Sequence, residues 1–175
     1  ADVAAGRYHS SAVLADGTRL DADMIVLSIG VRPETSIVKA AGLETTPNGA
    51  ILVNENLQTS DPAIYALGDA IAFPHPVLGM AMPVPLAGPA NKQARVVADN
   101  IVKGPGTRRW KGAIGTSIAK VFDITAAAAG VAEKLLKKNN IPCMSIITHG
   151  SSHAGYYPGA QPLTIKTIFS PDGTL

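Results

Sequence analysis

The sequence predicts a layered chain, α/β in its earlier part and α+β in its later part, and three observations support this. Met24 to Ile29 is a nearly continuous apolar run, the kind of strand buried on both faces in a layered α/β protein. After Gly104-Pro105-Gly106 the pattern changes to strand, amphipathic helix, strand, loop and strand. Hydrophobic residues make up 46% and charged residues 16%, so there is material for a core and little of the polarity that keeps chains disordered.

The first segment reads as two strands around the turn signal Asp16-Gly17, the second ending in the Met24 to Ile29 run. A short helix from about Glu34 to Ala41 follows, stopped by Gly42 in a position that suits a left-handed C-terminal cap. Short strands are expected at Ala50 to Val53 and at Ile64 to Leu67, the latter meeting Gly68-Asp69. A loop carrying Pro74, Pro76, Pro83, Pro85 and Pro89, with Pro62 before it, leads to a helix from about Ala90 to Val102. Gly104-Pro105-Gly106 is the best linker. Beyond it come a strand at Thr116 to Asp123, a helix at Gly130 to Asn139, a strand at Cys143 to Thr148 and a strand at Leu163 to Phe169. In that helix Val131, Leu135 and Leu136 share one side, while Glu133, Lys134, Lys137 and Lys138 face water.

Both ends suggest a piece of something longer. The core partners of the apolar run are not visible upstream, and the turn Ser170-Pro171-Asp172-Gly173 is followed only by Thr174 and Leu175, too little for a return strand. Net charge excludes other classes: +2, from 15 basic and 13 acidic residues, is no concentrated positive surface, so neither nucleic acid nor an acidic membrane face is an expected partner. No apolar run approaches the ~18 to 20 residues of a membrane span, and the expected compartment is the cytoplasm. The one cysteine, Cys143, forms no disulfide framework and no dithiol pair within the chain.

The segment Thr59 to Ala70, TSDPAIYALGDA, carries the strongest chemistry. Gly68 allows close approach of a ligand, and the Asp69 carboxylate can accept hydrogen bonds from sugar-like hydroxyls while repelling phosphate. A second reading has Asp69 capping a following helix. The long segment, with Thr59, Asp61, Ile64, Tyr65 and Ala66 in place, resembles the second FAD-binding motif of the pyridine nucleotide-disulfide oxidoreductases, in which the Asp binds the ribityl chain of the flavin.

Further segments carry the resemblance along nearly the whole chain. Asp21 to Glu34, DADMIVLSIGVRPE, is similar to the stretch by which the NAD(P)H-binding domain hands the chain back to the FAD domain, with Gly30 permitting a tight crossing and Arg32-Pro33 fixing its direction. The family usually has Ala or Thr where this chain has Ser28 and Ile29, and Arg32 is open as a structural donor or a cofactor contact. Pro85 to Ile101 resembles the helix start that points at the pyrimidine edge of the flavin, which places Leu86, Ala87 and Asn91 as cofactor-binding residues. The alternative is that Asn91 and the prolines only organise that start.

Gly115 to Gly130 and His153 to Phe169 resemble the dimerisation domain of the branch containing coenzyme A-disulfide reductases, NADH-dependent persulfide reductases and NADH oxidases or peroxidases. The string YYPGA is most similar to the first two. The resemblance implies that this loop reaches toward the active site of a partner subunit and that Tyr156 or Tyr157 assists thiol chemistry, since a phenol stays protonated at neutral pH and can donate to a leaving thiolate. Packing with a satisfied hydroxyl is the alternative for each tyrosine.

The implied whole is the later part of a flavoprotein with two dinucleotide-binding domains, plus an α+β dimerisation domain. Residues 1–32 would end the NAD(P)H-binding domain, 33–105 would form the later part of the FAD domain, and 106–175 an incomplete dimerisation domain. Such a homodimer would pass electrons from NAD(P)H through FAD to a cysteine-bound thiol adduct, releasing coenzyme A or a related thiol. The Gly-rich fingerprints for both dinucleotides and the redox cysteine are absent from this sequence, so the fragment alone is expected to be inactive and to bind flavin poorly. An NADH oxidase or peroxidase, and a module that only dimerises, are the rival readings.

Weaker candidates remain. No metal site is expected: His149 and His153 are four apart, but Gly150 and the serines between them argue for a loop. Cys143, at the start of an apolar strand, reads as a small hydrophobe rather than a nucleophile. Lys103, Arg108, Arg109 and Lys111 read either as a solvated linker face or as a cluster that attracts the phosphates of coenzyme A.

Overall fold

The computed structural model describes residues 2–5 and 10–174, a mixed α/β structure in two compact units, Ala1–Arg32 and Pro33–Leu175. In the first unit, β1 (Asp2–Ala5), β2 (Ser10–Val13) and β3 (Arg19–Ala22) form an antiparallel meander in the order β1-β2-β3. The β2–β3 turn is the one marked by Asp16-Gly17: Gly17 has φ 84°, and the Asp16 carboxylate accepts the Thr18 amide at 2.9 Å. That bond, to a charged acceptor, holds the Asp16 carboxyl below its ordinary value. Residues 6–9, in the first expected strand, and Leu175, after the last turn, lie outside the described residues.

The Met24 to Ile29 run departs from expectation. It forms no strand, and Met24 and Ile29 are 78% and 87% exposed. A strand buried on both faces needs ladder neighbours and two covering layers, and no strand among the described residues pairs with it.

The second unit is built around a small sheet and one long helix. After α1 (Ser36–Ala40) and the left-handed turn at Gly42, β4 (Ile51–Leu52) pairs in parallel with β5 (Ile71–Pro74), which pairs antiparallel with β6 (Ala81–Met82). The expected strand at Ile64 to Leu67 is instead an extended approach with a single bridge, Tyr65 to Gln58, and the true strand lies just beyond Asp69. The proline-rich stretch is therefore a hairpin rather than an uninterrupted loop: Pro74 closes β5, and Pro76 sits in the connection before β6.

The helix α2 (Ala87–Lys103) starts earlier than expected, with Pro89 inside its first turn. Proline is tolerated there because that N–H has no intrahelical acceptor in any case. Its buried residues Gln93, Val96, Val97 and Asn100 follow i, i+3, i+4, i+7 spacing. Val96 and Val97 pack on Ile51, Val53, Leu57, Ile71, Phe73 and Val84, with Leu86 and Trp110 at the edge. The Trp110 ring meets Phe73 edge-on at 5.6 Å.

Beyond Gly104 the unit continues as two hairpins. β7 (Thr116–Val121) and β8 (Ile124–Ala129) pair antiparallel through a turn at Phe122-Asp123, so Ala126 to Ala129, unassigned from sequence, is a strand. The helix α3 (Glu133–Lys138) is shorter than expected and buries Leu136. β9 (Met144–Ser151) and β10 (Pro162–Phe169) pair from Pro162↔Ser151 to Phe169↔Met144, and Glu133 ties α3 to β10 through Lys166. The final turn forms as expected, with the Gly173 amide donating to Ser170 O at 2.9 Å. Both hairpins leave apolar side chains exposed, among them Ile118, Val121, Ile146 and Ile165. Among the described residues no helix is long and apolar enough to cross a membrane.

Candidate functional site

Two of the expected cofactor residues, Gly68 and Asp69, sit in the Gly68–Ala70 turn. Leu67 arrives extended and Gly68 turns with φ 84°, a left-handed value that glycine adopts without a Cβ penalty. Its backbone N–H donates to Gln93 Oε1 at 2.8 Å, and Gln93 is 1% exposed, so a buried side chain of α2 fixes the turn. No atom lies within 4 Å of the position a Cβ on Gly68 would take, so the turn faces open space. Asp69 is exposed, and among the described residues its carboxylate has no hydrogen-bond or ion-pair partner. It begins no α-helix: three residues of 3-10 turn lead straight into β5, which removes the helix-capping alternative.

α2 packs against this turn, bonded to it through Gln93, and begins at Ala87. Leu86 is extended there with no side-chain cap, and the first turn holds no acidic residue. The amides of Ala87 and Gly88 have no acceptor among the described residues, and Pro89 has none to offer. The positive end of a helix of 17 residues is thus left uncompensated. Leu86 itself packs half-buried against the core. Asn91 donates its Nδ2 to Ala87 O at 2.9 Å and lies back along the helix.

The second unit thus carries a free carboxylate that accepts from hydroxyls and free amides that favour negative charge. A polyol chain matches the first and an electron-rich heteroaromatic edge the second, and a flavin has those two parts. A phosphate fits only the amide end, since Asp69 repels it.

Other expected residues lie elsewhere. Gly30, in the first unit, has φ 73° with no atom within 4 Å of a would-be Cβ. Tyr156 and Tyr157 occupy the β9–β10 loop, their rings 4.9 Å apart and tilted by 43°. They are 83% and 62% exposed, so neither is packed in the core of this chain, and neither phenol has a hydrogen bond among the described residues. Cys143 is half-buried just ahead of β9. His149 stands on β9 rather than in a loop, with Nδ1 2.9 Å from Thr164 Oγ1.

Sequence reasoning missed Gln93 and Asn100. Both are polar residues on the otherwise apolar face of α2, and that placement was the readable signal. Asn100 donates to Asn56 O at 3.1 Å and Arg108 O at 2.8 Å, and accepts from the Arg108 amide at 3.0 Å, clamping the segment after Gly104 onto the helix.

The sequence model of the pyridine nucleotide-disulphide oxidoreductases matches residues 2–96. The chain belongs to this family. The stretch that the family defines includes Gly30, the Gly68–Asp69 turn and the first half of α2. Coenzyme A disulfide reductase of Staphylococcus epidermidis is 34% identical over 150 residues, a match covering 86% of this chain and 34% of that protein. Reduced CoADR-RHD of Bacillus anthracis superposes with a TM-score of 0.80 at 48% identity, over 93% of this chain and 29% of the other. A NAD-dependent persulfide reductase from A. fulgidus gives 0.80 at 38% identity, over 92% and 29%. The chain therefore spans about a third of the length of these family members.

Proposed function

We propose that this chain is the later portion of an FAD-dependent NAD(P)H:disulfide oxidoreductase that reduces coenzyme A disulfide or a related persulfide. The observation that carries this is the Gly68–Asp69 turn, pinned by Gln93 of α2, a helix whose start is uncapped. The acceptor is inferred from the relatives, whose names specify coenzyme A disulfide and persulfide reduction. FAD, when bound, would relay reducing equivalents from NAD(P)H to the thiol chemistry.

In this reading Asp69 accepts from the ribityl hydroxyls and Gly68 allows their approach. The Ala87 and Gly88 amides, with the helix dipole behind them, hold negative charge on the pyrimidine edge; Leu86 contributes backbone and Asn91 steadies the first turn. Gly30 belongs to the crossing between the nucleotide-binding regions. The exposed Tyr156–Tyr157 pair serves a partner subunit, one phenol donating a proton to the departing thiolate. Cys143 takes no part, and the redox cysteine belongs to a region outside this chain.

Residues 1–32 close the NAD(P)H-binding domain, 33–105 belong to the FAD domain, and 106–175 to a dimerisation domain whose exposed apolar hairpins are covered in a cytoplasmic homodimer. The 175-residue chain alone is expected to be colourless and inactive. The test is NADH consumption by the full-length protein with coenzyme A disulfide, a persulfide, peroxide and oxygen in turn. The first two should support turnover well above the others; turnover led by peroxide or oxygen would contradict the acceptor, and none at all would contradict the enzyme class.

A further inference from the structure

The long helix α2 borders a second feature that the flavin reading does not use. Between it and residues 108–112 lies a depression of about 330 Å³, lined by Lys92, Arg95, Arg108, Arg109, Trp110 and Lys111 together with Val96 and Gly112. We propose that this depression binds a compact phosphate-class anion, such as the pyrophosphate group of a nucleotide-type molecule.

Charge is the first argument. Every charged residue in the lining is cationic. Arg108 pairs with Asp99 at 3.0 Å and Arg109 with Glu55 at 3.1 Å, both carboxylates lying outside the lining. Lys92, Arg95 and Lys111 have no ion-pair partner among the described residues. Three uncompensated cations around one concavity match the charge of a di- or trianion, and arginine offers the planar fork that phosphate oxygens accept in pairs.

Rigidity is the second. Clusters of surface lysines are usually solvated, but this wall is held at the backbone. The Asn100 clamp fixes Arg108, and the Trp110 amide donates to Glu55 O at 2.7 Å. Gly112 sits against Pro76 so closely that a Cβ there would come within 2.9 Å of Pro76 Cγ. The Trp110 side chain is locked edge-on to Phe73, with its Nε1–H buried. With the backbone held, ordering on binding is confined to the exposed cationic side chains.

Size selects the ligand class. The depression is at the small end of the ~300 to 1,000 Å³ typical of small-molecule pockets, enough for a pyrophosphate with part of its nucleoside. A docking face for an acidic protein would present a broader basic surface, and the neighbouring Asp99 and Glu55 oppose one.

The test is isothermal titration of the full-length protein with inorganic pyrophosphate at about 50 mM salt, where surface electrostatics are least screened. The wild type should show a saturable site that Arg95→Gln/Lys111→Gln and, independently, Lys92→Gln/Lys111→Gln each weaken by roughly tenfold or more. Lys134→Gln, far along the chain on α3, should leave it unchanged. Coenzyme A and ADP serve as further arms: competition by coenzyme A alone identifies that molecule as the source of the phosphate, and competition by both identifies a general adenine-nucleotide site. Isotherms identical in wild type and both double variants would overturn the proposal. So would hexaglutamate binding that depends on Arg95 while pyrophosphate shows none, which would assign the depression to an acidic protein segment.

Discussion

Gln93 holds the Gly68 amide through a contact spanning 25 residues of sequence, and its burial makes that bond costly to lose. Gln93→Ala leaves the amide without a partner beside a new cavity, which should cost about 2 kcal/mol or somewhat more. Urea unfolding of the full-length protein checks this, and its affinity for FAD should fall in parallel. His75 makes a different prediction. Its ring is buried in the β5–β6 connection, where Nδ1 faces the Val77 amide at 3.2 Å and the Leu78 amide at 3.4 Å, and burial holds its pKa below the ordinary 6.5. The unfolded chain therefore takes up the proton first as pH falls, so stability is complete above about pH 6.5 and declines below it until the folded form also protonates. Unfolding midpoints compared at about pH 7.5 and about pH 5.5 should drop in the wild type and drop less in His75→Gln. A wild-type drop no larger than that of the variant would contradict this reading of His75.

Among the elements, α2 does most to organise the second unit, joining the Gly68 turn at its start to the segment after Gly104 at its end. Asn100→Ala removes three hydrogen bonds and orphans backbone groups of Asn56 and Arg108, for an expected loss of about 3 kcal/mol. Trp110 emission should shift to the red as its strand of chain loosens; unchanged emission and stability would remove the clamp from the account. The helix itself was readable from its apolar spacing, and β10 from the alternation that opens it at Leu163 to Lys166. The Gly68–Asp69 turn was readable because glycine and aspartate mark it locally. β5 was not readable, since prolines follow it closely and its buried pairing is long-range. β8 was hidden by alanine, which favours helix and takes up a strand only through its ladder with β7. The Met24 to Ile29 run erred the other way: its composition signals a central strand, and a strand exists only where neighbours complete its hydrogen bonds.

Among the described residues, two open surfaces bear on the proposed function. The first is polar, the exposed Asp69 carboxylate and the unpaired amides at the α2 start; the second is apolar, the outer faces of the β7–β8 and β9–β10 hairpins, with Tyr156 and Tyr157 at one end. The proposed function assigns the first to a flavin and the second to a partner subunit. The half of the site that sequence could supply was the part coded in adjacent residues; the part made by Gln93 reaching back to Gly68 depends on the folded arrangement. The central claim is that the Gly68–Asp69 turn and the α2 start hold FAD, and the most direct measurement is flavin content and affinity of the purified full-length protein beside its Asp69→Ala variant. The wild type should be yellow with FAD near one per chain, and the variant should bind it at least roughly tenfold more weakly. A colourless wild type, or a variant that holds FAD as tightly as the wild type, would contradict it.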